Sequence, residues 1–313
     1  MDVSSALSLL QTAAELGLIS SLTVLSLFLS YSMLNVCDLS TDGCFTLGAV
    51  VGAMVAVSGH PLLSIPAAMA AGVLSGFVTA FLQTKMGIDS LLAGIIVNTG
   101  LYSVNIAAMG STSLVNLNFT ETVFTKLEAA LENTPFAGQY KLIIALAAVI
   151  LVVLFLSFFL KTNLGLALRA TGNNPDMVRS SSVNTATITI IGLCISNSFT
   201  ALSGCLLAQS QKSANIDMGT GMVTIALASL LIGGILFSKR RGIAVRAVCS
   251  VVGALIFRLV YTAALRFNMP AYMLKLVSSV IVIIAISAPY LKKQFPKIKR
   301  RLELRSKKEV SKV

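Results

Sequence analysis

The 313 residues include no tryptophan, a single histidine and only 12% charged side chains. Each scarcity excludes something. One histidine, His60 beside Pro61, cannot build a multi-histidine metal centre and reads as a loop edge. The five cysteines, Cys37, Cys44, Cys194, Cys205 and Cys249, sit in apolar surroundings without C-x-x-C or Cys/His spacing, so they read as small core residues. No H-E-x-x-H, G-x-S-x-G or G-x-x-x-x-G-K-[ST] run occurs. Metalloprotease, serine-hydrolase and ATP-binding chemistry therefore have no visible seat, and neither a catalytic residue, a metal nor a cofactor is expected. No Lys or Arg precedes Lys85, so the basic region of a cleavable leader is missing and the first apolar runs are expected to stay in the protein.

What is abundant is apolar surface: 56% of residues are hydrophobic and the mean hydropathy is +0.87, which calls for a lipid bilayer as solvent. Hydrophobic runs fall at 16–35, 43–57, 62–84, 90–110, 140–160, 186–210, 221–238, 245–268 and 271–291. They predict an all-α polytopic membrane protein with about nine spans, eight to ten allowing for the short run at 43–57 and the apolar stretch before Leu16. The 22 glycines, with Gly48-x-x-x-Gly52 and Gly72-x-x-x-Gly76 among them, predict closely packed helices.

The net charge of +12 is unevenly placed. Segment 292–313 holds ten Lys or Arg against Glu303 and Glu309. No aromatic interleaving accompanies it, so it reads as a cytoplasmic tail facing anionic lipid, with no nucleic-acid partner. Counting back from that tail puts Lys85, segment 161–184 and Lys239–Arg246 on the same side, 18 basic residues against five outside (Lys126, Lys141, Lys212, Arg266, Lys275). The N-terminus is then outside, 161–184 is a cytoplasmic loop, and 111–139 is an external loop whose Glu121, Glu128 and Glu132 suit a short amphipathic helix.

Asp38-Leu-Ser-Thr41 is echoed by Asp217-Met-Gly-Thr220, each opening an Ala- and Gly-rich run, on opposite membrane sides by that count. This predicts an inverted repeat with interrupted helices. Asp38, Asp42 and Asp217 are candidates either for capping the helices that follow or for contact with solute. Asn98, Tyr102 and Asn105 share one helical stripe and either line a polar pathway or join helices. Ser196, Thr200 and Ser203 form a second stripe, small enough to favour packing. Arg258 lies inside a span and needs a partner, Glu15 or a polar-break aspartate. In the 161–184 loop, Gly172, Asn173, Asn174 and Pro175 signal a turn after which Asp176 starts a short helix, the alternative being a plain solvated loop.

The run Gly165-Leu-Ala-Leu-Arg169-Ala-Thr-Gly172-Asn-Asn174-Pro175 resembles the coupling loop of permeases of the branched-chain amino acid and ribose class of ABC importers. Asp38-Leu-Ser-Thr-Asp-Gly43, Leu47-Gly-Ala49, Leu91-Leu-Ala-Gly94, Ala201-Leu-Ser-Gly204 and Asn215-Ile-Asp-Met-Gly219 are similar to a subgroup of tryptophan and tyrosine transport permeases. The resemblance implies a single transmembrane permease domain over 1–291 in the bacterial inner membrane. It further implies a homodimer, a cytoplasmic ATP-binding subunit docked through Arg169, Gly172–Pro175 and Arg179, and an extracytoplasmic solute-binding protein. Asn98, Tyr102, Asn105, Asp38 and Asp217 are then pathway candidates for a small polar solute, most readily an amino acid. Downstream of Pro175 the chain departs from the family's alanine-rich turn with Met177-Val-Arg-Ser-Ser-Ser-Val183. An ion-coupled secondary transporter working without an ATPase is the alternative.

Overall fold

A computed structural model of the chain describes residues 3–131, 137–236, 242–266, 276, 278–284 and 287. Its helices are α1 (Val3–Leu27, continued by a π-helical stretch Phe28–Met33), α2 (Thr41–Val57), α3 (Ser64–Thr84), α4 (Ser90–Ala108), α5 (Val123–Leu131), α6 (Tyr140–Phe159), α7 (Asn163–Asn173), α8 (Pro175–Ser180), α9 (Thr185–Gln211), α10 (Met222–Leu236) and α11 (Ile243–Arg266). Two short strands, β1 (Leu114–Asn116) and β2 (Ser213–Asn215), pair antiparallel. Six helices are long and apolar enough to cross a membrane, and Thr41–Val57 and Met222–Ile235 are shorter apolar helices. This is an all-α polytopic membrane protein. The last expected run, 271–291, falls largely outside the described residues, as does the basic tail.

The core is built on α9. Its most apolar window is 78% buried, against 28% for α4 and α6, because α1, α2 and α3 surround it. Small residues set the contact distance. Cβ atoms added at Gly48 and Gly52 would run into Ala201 and Cys205. Since both positions advance together, α2 and α9 run parallel. Gly72 and Gly76 meet Asn197 and Leu193 in the reverse order, so α3 runs antiparallel to α9. The serine and threonine stripe of α9 also packs: Ser196 Oγ and Thr200 Oγ1 bond Ser26 Oγ at 2.8 and 2.7 Å, and Ser203 Oγ donates to the Ile19 carbonyl at 2.7 Å. Hydroxyls buried in an apolar bundle must find partners, and here they join α1 to α9.

The same pairings give directions for the remaining helices. Ser26 opposite Ser196 and Ile19 opposite Ser203 make α1 antiparallel to α9. Gly17 lies against Leu255, and Ser32 accepts from Arg246, so α11 is antiparallel to α1. Gly233 against Cys249 and Gly253 against Ser229 make α10 antiparallel to α11. It follows that α2 and α10 run in opposite directions.

Both are short. At about 1.5 Å per residue the 17-residue α2 is about 26 Å long, less than the roughly 30 Å hydrocarbon layer. Their starts meet: Gly219 fits against the Asp42 carbonyl with no room for a Cβ, and its N–H donates to Thr46 Oγ1 at 3.2 Å. The expectation that segments 38–41 and 217–220 sit on opposite membrane sides is thus corrected. Asp38 bonds Asn197, close to the middle of the 27-residue α9, so the chain after α1 turns back into the bundle before α2 begins. Equally, the chain after β2 descends beside α2 before α10 begins, with Ala214 packed near Ala53 and Ile216 near Val50.

Candidate functional site

The junction of α2 and α10 is held by Asp42. From the first turn of α2 its Oδ2 accepts the Gly221 N–H at 2.9 Å and its Oδ1 the Val223 N–H at 2.8 Å. A carboxylate on one helix thereby caps the start of another, where free amides and the helix dipole favour negative charge. Capping of the helix that follows, one of the two roles the sequence offers these aspartates, is corrected by the geometry. Asp217 does not cap α10; its N–H donates to Asn215 Oδ1 and its carbonyl accepts the Thr220 hydroxyl. Asp38 does not cap α2, whose N-cap is Ser40 with no side-chain bond. Asp38 is 1% exposed; its Oδ1 accepts Ser40 N–H at 2.8 Å and Ser40 Oγ–H at 2.6 Å, and its Oδ2 accepts Asn197 Nδ2 at 2.8 Å.

Beside this junction lies a cavity of about 410 Å³ whose lining includes Asp42, Asn98, Tyr102, Asn105, Asp217 and Thr220. Four of the five sequence-derived pathway candidates come together here, and Asp38 does not. The α4 stripe has two characters. Asn105 is 1% exposed, and its Nδ2 donates to the Gly43 carbonyl at 3.2 Å while its Oδ1 has no partner among the described residues. Tyr102 is 51% exposed, with an amphipathic ring open to the cavity. Among the described residues no lysine, arginine or histidine lines the space.

At the far end of the bundle, α7 and α8 are separated by a single residue. Asn174 leaves the helical region at φ −158°, ψ 98°, and its Oδ1 accepts the N–H groups of Asp176 and Met177, both at 3.1 Å, with Pro175 opening α8. Gly172 and Asn173 are still helical, so the four-residue turn of the sequence reading shrinks to Asn174. Gly172 has a different use: a Cβ there would strike the Met33 carbonyl at the end of the π-helical stretch, so glycine lets α7 press against the end of α1. Arg179 donates from Nε to Thr185 Oγ1 at 3.2 Å and lies 3.5 Å from Asp176. Arg169 is half-buried on α7, while Leu164 and Leu166 of α7 and Met177 of α8 are exposed.

Arg258 finds neither expected partner. Glu15 bonds Gln11 instead, and the guanidinium stands 5.4 Å from the Tyr261 ring centroid, a cation–π contact. Two residues of consequence escaped the sequence reading. Asn197 is the single amide in α9 before Gln209, a signal that was available. Gln209 donates to Ser64 Oγ and accepts the Val123 N–H, tying α9 to α3 and to the start of α5. No sequence pattern announces a link of that range.

The sequence profile of the family described as branched-chain amino acid transport system / permease component matches residues 9–286. The chain belongs to this family. Among curated relatives, the tyrosine transport system permease protein of Clostridioides difficile (strain R20291) is 32% identical over 298 residues, covering 94% of this chain and 96% of that one. The ribose import permease protein of Escherichia coli (strain K12) is 26% identical over 257 residues, 80% of this chain and 75% of that one. Among solved structures, PsaBC from Streptococcus pneumoniae in complex with Fab has a TM-score of 0.53 at 14% identity over 91% of this chain and 94% of that one, a likeness of fold. The helix starts of α2 and α10 meet inside the bundle beside a polar cavity, as irregular backbone at membrane depth is tolerated only when it is buried in protein or faces a wet space.

Proposed function

We propose that this chain forms the translocation pathway of an ATP-binding-cassette importer of the bacterial inner membrane and carries an amino acid inward. The observation that carries the reading is the cavity at the head-to-head start of α2 and α10, walled by the polar stripe of α4. The C. difficile relative, a tyrosine transport permease by name, favours an amino acid over a sugar. In this reading two copies associate so that their cavities form one path, and a solute-binding protein delivers from the β1–β2 side. A separate cytoplasmic subunit hydrolyses ATP, docking on α7 and α8 through Arg169, the Gly172–Pro175 corner and Arg179, and the 292–313 tail lies in the cytoplasm. Family membership gives the secondary-transporter alternative no support.

The exposed Met177 on α8 supplies a test. Met177→Asp places a charge on the proposed docking face without touching the bundle, where Val178 is the buried neighbour. Expression beside its ATP-binding subunit should give a permease that is extracted and monodisperse but co-purifies with that ATPase at least tenfold less well. Retention of the ATPase at wild-type level removes the docking role from α8, and a wild-type permease that retains none removes the importer reading.

A further inference from the structure

We infer that the cavity beside α2 and α10 selects its solute by a protonated amine, with Asp217 as the recognising group; this deepens the permease reading and rests on it. Two carboxylates, Asp42 and Asp217, face a space that no basic side chain enters among the described residues. They are not equivalent. Both oxygens of Asp42 are engaged by the Gly221 and Val223 amides, so its charge is set against the start of α10. That occupancy also decides what α10 can bind: the amides that would hold a solute carboxylate are already held by a carboxylate of the chain. Asp217 is exposed within the cavity, and its bonds to Asn215 and Thr220 run through its backbone, which leaves the carboxylate to a ligand.

A second, independent observation points to a donor-bearing ligand. Asn105, 1% exposed and on the cavity wall, has its Nδ2 bonded to Gly43 and its Oδ1 unpartnered. Buried acceptors without a donor are uncommon and mark a place for one. An ammonium group offers three donors and no acceptor, and the half-exposed Tyr102 ring on the same wall adds a face for a cation. Acceptors, an unengaged carboxylate and an aromatic face suit an amine, and among the described residues no basic side chain on the wall recognises the carboxylate end of a zwitterion. An amine lacking a carboxylate should therefore compete with the amino acid, and the corresponding neutral and anionic compounds should not.

The test uses the purified full chain in lipid nanodiscs and four probes sharing one ring: 4-hydroxyphenethylamine, tyrosine, 4-hydroxyphenylethanol and 4-hydroxyphenylpropionate. Binding of the labelled amine is competed by the others at fixed salt and pH 7. The amine and the zwitterion should bind at least tenfold more tightly than the alcohol and the carboxylate. Asp217→Asn should erase that order and Asn105→Ala should weaken it, while Glu121→Gln, an exposed carboxylate away from the cavity, should leave it intact. Equal binding of amine and alcohol, an order that survives Asp217→Asn, or no binding of any probe overturns the inference. If the ATPase still co-purifies in any of these cases, the importer reading stands and only the amine selectivity falls; loss of the ATPase as well removes the parent reading.

Discussion

Segments 38–43 and 217–222 share a pattern and a destination but are put to opposite uses. Each opens with an aspartate and leads into an apolar helix, and their helix starts touch. In the first, Asp38 is sealed, its oxygens accepting three bonds from Ser40 and Asn197. In the second, Asp217 stays open to the cavity and its side chain holds no turn together. Surroundings make the difference. Segment 38–43 is enclosed by α3, α4 and α9, where an unpaired carboxylate would be expensive, so the fold supplies an amide. Segment 217–222 borders a space large enough for solute and water, where a free carboxylate is tolerated and useful. A shared sequence pattern therefore does not fix the job of its side chain, which the surroundings decide.

The comparison is broken most forcefully at Asn197. Asn197→Leu should leave Asp38 Oδ2 buried without its donor and lower the unfolding free energy by about 2–3 kcal/mol, read by SDS titration in mixed micelles. An unchanged transition would mean that Asp38 is neutral or hydrated, and the contrast with Asp217 would fade. Asp42→Ala is expected to cost less, about 1–2 kcal/mol, because it frees the Gly221 and Val223 amides of α10 as the loss of an N-cap does. Protease cleavage near 217–221 should rise with it. If cleavage is unaltered, the head-to-head junction does not depend on that carboxylate. The smallest effect on stability belongs to Asp217→Asn, within about 0.5 kcal/mol of wild type as for a replaced exposed group, measured in the same titration. A large loss would show that Asp217 is structural after all and would erase the distinction between the two segments.

Much of the fold was legible before any coordinates. The hydrophobic runs at 62–84, 90–110, 140–160 and 186–210 correspond to α3, α4, α6 and α9, because lipid demands unbroken apolar helices of near-fixed length. The Gly48/Gly52 and Gly72/Gly76 pairs are packing signals in the sequence, and both lie against α9. The α8 start after Pro175 was legible because Asn-Pro followed by Asp is a local instruction, an amide cap and a fixed φ. The role of Gly172 was not. A turn and a close approach both ask for glycine, and only the neighbouring Met33 carbonyl distinguishes them.

What the sequence determined by itself is everything that depends on residues near one another along the chain: that the protein lives in a bilayer, where its helices run, which of their faces carry polar groups, and where α8 is capped. The tertiary structure alone decided which groups meet across long separations. Asp42 reaches α10, Asp38 finds Asn197, and Gln209 joins Ser64 to Val123. The physical reason is that an aspartate near a helix start satisfies local rules equally well with its own helix or a distant one. Only the packing of α2, α9 and α10, set by small residues at their contacts, fixes which donors come within 3 Å of it.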